Sequence, residues 1–367
     1  MVQEFCYQGK LPNGLNSSFI CLIPKKETPT SVCDFRPISL INCVLKILLK
    51  ALSLRLGQHI PSLVSAVQSG FIKSRNITDS FLVTQEVVHS LQSKRVKGFI
   101  LKLDFEKAYD SVNWNFLFNV LNAFGFGNKW IQWIKVILES TRMSILVNGS
   151  PTREFGMSRG LRQGDPMSPM LFNLVAELLH LLLDKAMELG FFKGLILGSS
   201  PPISHVQYVD DTILFFENSV LDCQGVKLIL LLFQILSGLK INFRKSVLYA
   251  HEPGSDLVNQ CAQILGCQSG SWPFPYVGFQ VGVSPKRRTF WKPILTKVKT
   301  RLSSWKSHIL NKAGRATLIK STLNNLPIYW FSVFKTSKEI NDAIDKIRRG
   351  FFVKNQMSEI ITAGGCI

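Results

Sequence analysis

The sequence predicts an α+β fold centred on an antiparallel sheet. Phe99-Ile100-Leu101-Lys102-Leu103 has the apolar, β-rich make-up of a buried strand. Residues 204–216 read as a hairpin, with apolar and aromatic residues on both sides of Asp210-Asp211 at the tip. Long apolar helical runs alternate with these strands, and from Pro285 onward helical patterns rich in Lys and Arg take over.

In chain order, the first hundred residues alternate short apolar runs with Pro, Asn and Ser breaks, then give a helix from Leu40 to Gly57 with Leu45, Leu48, Leu49, Leu52 and Leu56 on one face. A strand at 98–105 follows. Ser111 is then expected to cap a helix that turns Val112, Phe116, Val120 and Leu121 inward and ends near Gly125. Ser144 to Gly149, with its Asn-Gly turn, and Arg153-Glu154-Phe155 predict a hairpin. The Gly-rich loop 156–167 leads to Ser168 as N-cap and Pro169 as first helical residue of a helix through Leu189, stopped by Gly190. The apolar run Val226–Leu236 is too short to span a bilayer and reads as a core helix. Gln268-Ser269-Gly270-Ser271 is linker-like, and Phe274–Gly282 predicts a strand pair. The last segment carries Lys286, Arg287, Arg288, Lys297, Lys299, Arg301 and Lys306, either a basic helical surface for a nucleic-acid backbone or a solvated charged face.

With 367 residues the chain can hold two or three subdomains, and 43 Lys and Arg against 24 Asp and Glu leave a net charge of +19. An excess of that size favours a polyanionic partner over a membrane surface. Of the eight cysteines no two stand at the spacing of a zinc knuckle or redox pair, so they read as reduced residues of an intracellular protein. The N-terminus lacks a signal-peptide pattern, and an intracellular location, nuclear or cytoplasmic, with no membrane association is expected.

Asp210-Asp211 alone is an ordinary solvated turn. Asp104, at the end of the 98–105 strand, changes that reading. Phosphate chemistry with two divalent ions about 3.5–4 Å apart needs carboxylates on adjacent rigid strands, and hard oxygen ligands suit magnesium. Asp110 is a further acid, read as a helix-start cap or structural acceptor.

Four blocks in this order, Asp104 to Val112, Arg159-Gly160-Leu161-Arg162-Gln163-Gly164-Asp165-Pro166, Tyr208 to Asp211, and Ser237 to Ser246, resemble the successive motifs of reverse transcriptases. Their wording is similar to the LINE-type, non-LTR retrotransposon branch. Phe19 to Lys25, Asp34 to Leu40, Gln68 to Phe71 and Phe274 to Gly278 agree, and Leu302-Ser303-Ser304-Trp305-Lys306 with Ala313-Gly314-Arg315 resembles the thumb of plant-type elements.

The resemblance implies a right-hand polymerase: fingers at 1–97, a palm at 98–283 with a fingers insertion at about 130–165, and a thumb with C-terminal helices at 284–367. It implies RNA-directed DNA synthesis with magnesium, manganese being a substitute, on an RNA template with a DNA primer and deoxynucleoside triphosphates. Asp104, Asp210, Asp211 and the carbonyl of Phe105 would hold metal. Lys25, Arg36, Tyr109, Arg162, Gln163 and Gly164 would bind nucleotide or template, with Arg159 a further phosphate ligand; Lys245 would protonate pyrophosphate. Phe274, Tyr276 and Gly278 would grip the primer, although an aromatic hairpin is equally a hydrophobic clasp. In the family a nuclease domain precedes the polymerase, so this chain is expected to be a polymerase-domain fragment. A catalytically silent remnant that at most binds RNA, and a group II intron maturase, are the alternatives.

Overall fold

The structure, a computed structural model, describes residues 2–93, 96–303 and 310–353. Ser304, Trp305 and Lys306 of the tail motif lie outside the described residues. The chain divides into two compact units, one up to Ser271 and one from Trp272.

The first unit is built on a five-stranded sheet in the order Gln268–Gly270, Val247–Tyr249, Phe99–Leu103, Asp211–Phe216, His205–Tyr208. Every pairing is antiparallel except that of Gln268–Gly270 with Val247–Tyr249. The linker-like Gln268–Ser271 segment is therefore largely an edge strand, because its backbone finds ladder partners whatever its polar side chains suggest. Phe99 to Leu101, Leu103 and Ile213 to Phe216 are buried, as an apolar run covered on both faces requires.

Helices cover this sheet. Ser168–Glu188 begins and ends close to the expected positions, with Leu189 as C-cap and Gly190 at φ 75° just beyond. Its N-cap is Met167 rather than Ser168, and Asp165 Oδ1 takes up the Met167 N–H at 2.8 Å. The helix after Asp104 starts later than expected. Asn113, not Ser111, caps Trp114–Ala123, while Ser111 Oγ donates to the carbonyls of Glu106 and Lys107 in the short turn Ala108–Ser111. The first long helix extends to Cys43–Leu63, carrying the five expected leucines inward.

Val220–Ser237 is an 18-residue helix, longer than the apolar run suggests. By length and composition it is apolar enough to cross a membrane, but Cys223, Val226, Leu230 and Phe233 are buried in the core of this unit. The seven described cysteines are all free.

A second sheet belongs to the same unit. Ser17–Pro24 pairs antiparallel with Phe35–Leu40 and parallel with Arg142–Val147. Asn148 and Gly149, at φ 49° and 82°, make the tight turn that the Asn-Gly pair predicts.

The second unit, described for itself, starts with the hairpin Phe274–Tyr276 and Phe279–Val281. Phe279 stacks on Tyr329 at 4.7 Å and meets Trp330 at 4.9 Å, and Tyr329 Oη donates to Val277 O at 2.8 Å. The hairpin thus clusters with the helices that follow it, ahead of the 283/284 boundary expected between palm and thumb. Arg288–Ser303 buries Phe290, Trp291, Ile294 and Val298 and leaves Lys292, Lys297 and Lys299 exposed. Arg315 is buried and bonds Leu310 O and Phe352 O, a structural tie.

Candidate active site

Strand pairing places the acids. Leu103 lies opposite Thr212, so Asp104, one residue past the first strand, and Asp211, at the start of the second, leave adjacent strands at the same edge of the sheet. Tyr208 pairs with Asp211, which puts Val209 and Asp210 in the connecting turn. The Asp104 peptide is held on both sides by the Ser237–Ser246 block: its N–H donates to Ser246 Oγ at 3.1 Å and its carbonyl accepts from Asn242 N at 2.7 Å. The short strand Phe105–Glu106 pairs with Lys240–Ile241 directly after it.

Asp210 and Asp211 reach solvent but stand over enough protein to lose hydration. Burial, then the charges of Asp211 and Asp104, push the Asp210 carboxyl up, while Arg36 pulls it down. For Asp211, burial again raises the carboxyl, Lys102 lowers it and Asp104 raises it. Two strained carboxylates and a third beside them form a hard-oxygen donor set whose repulsion a divalent cation relieves. Their oxygen-only chemistry suits a divalent cation.

In front of this edge lies a cavity of about 630 Å³. Lys25, Arg36, Phe105, Tyr109, Gln163, Gly164 and Asp210 all line it. Lys25 projects from the end of the Ser17–Pro24 strand, where its Nζ bonds Cys33 O at 2.9 Å, and Arg36 comes from the partner strand. Tyr109 stacks on Phe172 with ring centroids 4.9 Å apart and planes 13° from parallel. Burial, and then the nearby Asp210 charge, push its phenol far up.

The Gly-rich loop is fastened at both ends. Gln163 O accepts from Ser39 N at 2.8 Å, and a Cβ on Gly164, at φ 103°, would sit 2.9 Å from Ser39 O. A Cβ on Gly160 would sit 2.6 Å from Asp110 O, so only glycine allows this approach. Asp110 sits in the first turn of the short helix Ala108–Ser111, as a helix-start acid, but the cap position is Lys107, and Asp110 lines the cavity with Lys25.

Arg162 lines the same cavity but is held mostly by protein partners. Its side chain is 1% exposed, with Nη1 on Asn16 Oδ1 at 2.6 Å and Nη2 on Asp165 Oδ2 at 3.4 Å, so the guanidinium pins the loop from within. Arg159 is exposed. Lys245 is exposed on the loop that clamps Asp104 but is not among the cavity-lining residues. Phe274 and Tyr276 are 2% and 1% exposed, which favours the hydrophobic clasp over a ring contact with primer; Gly278, at φ 89°, forms the hairpin turn. Gln68, Ser246 and Phe172 also shape the site, and no local pattern in the sequence marks them for it. Gln68 was visible only as part of a matching block, and its side chain bonds both backbone groups of Val209.

The family profile described as reverse transcriptase (RNA-dependent DNA polymerase) matches residues 23–281, from the end of the Ser17–Pro24 strand to the hairpin that begins at Phe274. The chain belongs to the reverse transcriptase family. A Xenopus laevis protein, the transposon TX1 uncharacterized 149 kDa protein, is 28% identical over 359 residues, which are 95% of this chain and 26% of that protein. The Pol polyprotein of the type-2 retrotransposable element R2DM of Drosophila melanogaster is 29% identical over 289 residues, 77% of this chain and 25% of that protein. These relatives belong to the non-LTR branch that the motifs resemble, and this reverse transcriptase chain spans about a quarter of their length. Among solved structures, telomerase from Candida albicans in complex with a fragment of telomeric RNA superposes with a TM-score of 0.51 at 13% identity, covering 94% of this chain and 60% of that one. The shared feature is the α+β polymerase fold.

Proposed function

We propose that this chain is an RNA-directed DNA polymerase that adds deoxynucleotides to a primer 3′-hydroxyl on an RNA template. The observation that carries the reading is the meeting of Asp104, Asp210 and Asp211 at the ends of two paired strands, beside a cavity lined by Lys25 and Arg36. The primer 3′-oxygen attacks the α-phosphorus, the bond to the bridging oxygen breaks and pyrophosphate leaves.

Asp104, Asp210 and Asp211, with the Phe105 carbonyl, would hold two magnesium ions, and bound metal lowers the pKa of the primer hydroxyl and neutralises charge on the phosphate. Lys25 and Arg36 hold the triphosphate across the cavity, the Arg36 fork matching phosphate oxygens. Gln163 and the bare backbone of Gly164 approach the nascent pair, and Tyr109 lies against the sugar. The exposed Arg159 and Lys245 would meet the nucleic-acid backbone or pyrophosphate. Lys286, Arg287 and Arg288 offer an exposed basic face to a duplex. Free cysteines throughout the described residues fit a reducing, intracellular compartment.

Extension of an oligo(dT) primer on poly(rA) in magnesium or manganese tests the reading. Incorporation of labelled dTTP is the expected result. Normal primer–template binding with no extension in either metal would leave a silent RNA-binding remnant.

A further inference from the structure

A cluster of metal-ligating side chains lies apart from the catalytic cavity. His180 and Asp184 stand at i and i+4 on one face of the helix Ser168–Glu188. His205 opens the strand that runs to Tyr208 and the catalytic turn. One ligand atom from each of the three lies within 4.8 Å of the others. His180 Nε2 is 3.4 Å from Asp184 Oδ2, and the two imidazole centroids are 5.2 Å apart.

The nitrogen that decides the reading is on His205. His205, only 1% exposed, spends Nδ1 on Ser204 Oγ at 2.7 Å and leaves Nε2 without one. A buried polar nitrogen without a partner is costly, and the His205 Nε2, facing His180 and Asp184, asks for a ligand that supplies what hydrogen bonds do not. When Nδ1–H donates to Ser204 Oγ, the tautomer of His205 leaves a lone pair on Nε2, the arrangement that orients a metal-binding imidazole.

We propose that His180, Asp184 and His205 bind a divalent transition-metal ion of the zinc class, joining the strand that carries the catalytic turn to the long palm helix. Two imidazoles and one carboxylate match zinc rather than the oxygen-only preference of magnesium. Tetrahedral bonds of about 2.0–2.1 Å set donors roughly 3.3 Å apart, so the cluster must contract, and the partly exposed side chains of His180 and Asp184 have room to move inward. An adjoining cavity of about 690 Å³, lined by all three residues with Met187 and Ile203, gives an entry path and an open coordination position. It shares no lining residue with the catalytic cavity, so the two sites are separable by mutation.

The test is titration of the EDTA-stripped full chain with Co²⁺, followed by displacement with Zn²⁺. One equivalent of Co²⁺ should give the visible ligand-field absorption of a low-coordinate ion, bleached by Zn²⁺, in both the wild type and Asp210→Asn. In His180→Gln and Asp184→Asn the affinity should fall by at least about tenfold. Asp184 is partly exposed, so its variant keeps the test open should the histidine variant fail to fold. Absorption no different from aqueous Co²⁺, an undiminished signal in Asp184→Asn, or loss of the signal in Asp210→Asn would each overturn the site, the last by placing the ion on the catalytic carboxylates.

Discussion

Gln68 holds the Asp210-bearing turn through Val209. Its Oε1 accepts from Val209 N at 2.8 Å and Gly70 N at 2.9 Å, and its Nε2 donates to Val209 O at 3.3 Å. Val209 has φ 58°, a left-handed conformation that a β-branched residue rarely adopts. The clamp offsets that strain and so fixes where Asp210 points. A Cβ on Gly70 would lie 2.4 Å from Val209 Cγ2, so the approach also needs glycine.

Replacing Gln68 with Met should leave the buried Val209 N–H without a partner, costing about 1–3 kcal/mol in urea denaturation. Primer extension should fall further than stability explains, since the turn loses its register, while primer–template affinity stays near that of the wild type. Unchanged turnover in a folded Gln68→Met protein would remove the clamp from the mechanism.

Asp210→Asn takes one charge from a proposed metal ligand at nearly constant shape. Extension should drop by about a hundredfold or more, on the order of 3 kcal/mol of transition-state stabilisation, with primer–template affinity within a few-fold. Single-turnover incorporation kinetics decide it, and wild-type rates would exclude Asp210 as a ligand.

Glu177 gives a pH signature. It accepts from Ser65 N at 3.0 Å and Ser65 Oγ at 3.1 Å, yet burial outweighs those bonds and the Arg75 charge and pushes its carboxyl from 4.5 up to about 7. Between those values the folded state binds more protons than the unfolded one. The stability this group contributes is therefore complete below pH 4.5 and is lost as pH rises through about 7. Urea denaturation with chelator present should show Glu177→Gln with a flatter decline over this window than the wild type. Parallel curves would assign the pH dependence to other carboxyls.

The strands and acids were legible because strand composition and turn chemistry are local: Phe99–Leu103 and the hairpin of Asp210 announce themselves within ten residues of sequence. The asparagine cap at 113 was hidden by Ser111, an equally good capping residue two positions earlier, and only the Ala108–Ser111 turn decides between them. The burial of Arg162 was not legible because its partners, Asn16 and Asp165, are set by the fold; an arginine on a polar loop carries no local sign that it will be buried. Gln68 was opaque for the same reason, its clamp spanning 141 positions of sequence. The Phe274–Tyr276 aromatics could have faced primer or core, and burial favours core.

The exposed cluster Lys286, Arg287 and Arg288 should contribute to duplex binding by counterion release. Changing all three to Ala should flatten the slope of log affinity against log salt measured by fluorescence anisotropy. An identical slope would put them on a solvated face.

Tyr109 combines two features that separate on mutation. Its ring is stacked on Phe172, so it is packed, and it lines the cavity beside Asp210, so it is positioned to meet a sugar. A flat ring under the ribose collides with a 2′-hydroxyl. As a gate, Tyr109→Val should raise ribonucleotide use relative to deoxynucleotide use by orders of magnitude with a modest loss in the deoxynucleotide rate. As packing alone, truncation should cost about 3–5 kcal/mol of stability, as for large aromatics cut to Ala, and depress both substrates alike. The stack on Phe172 predicts some of that cost in either case, so stability alone does not discriminate. The ratio of kcat/KM for the two sugars does, because a packing defect divides out of it. An unchanged ratio in Tyr109→Val would leave Tyr109 as a support for Phe172 and no more.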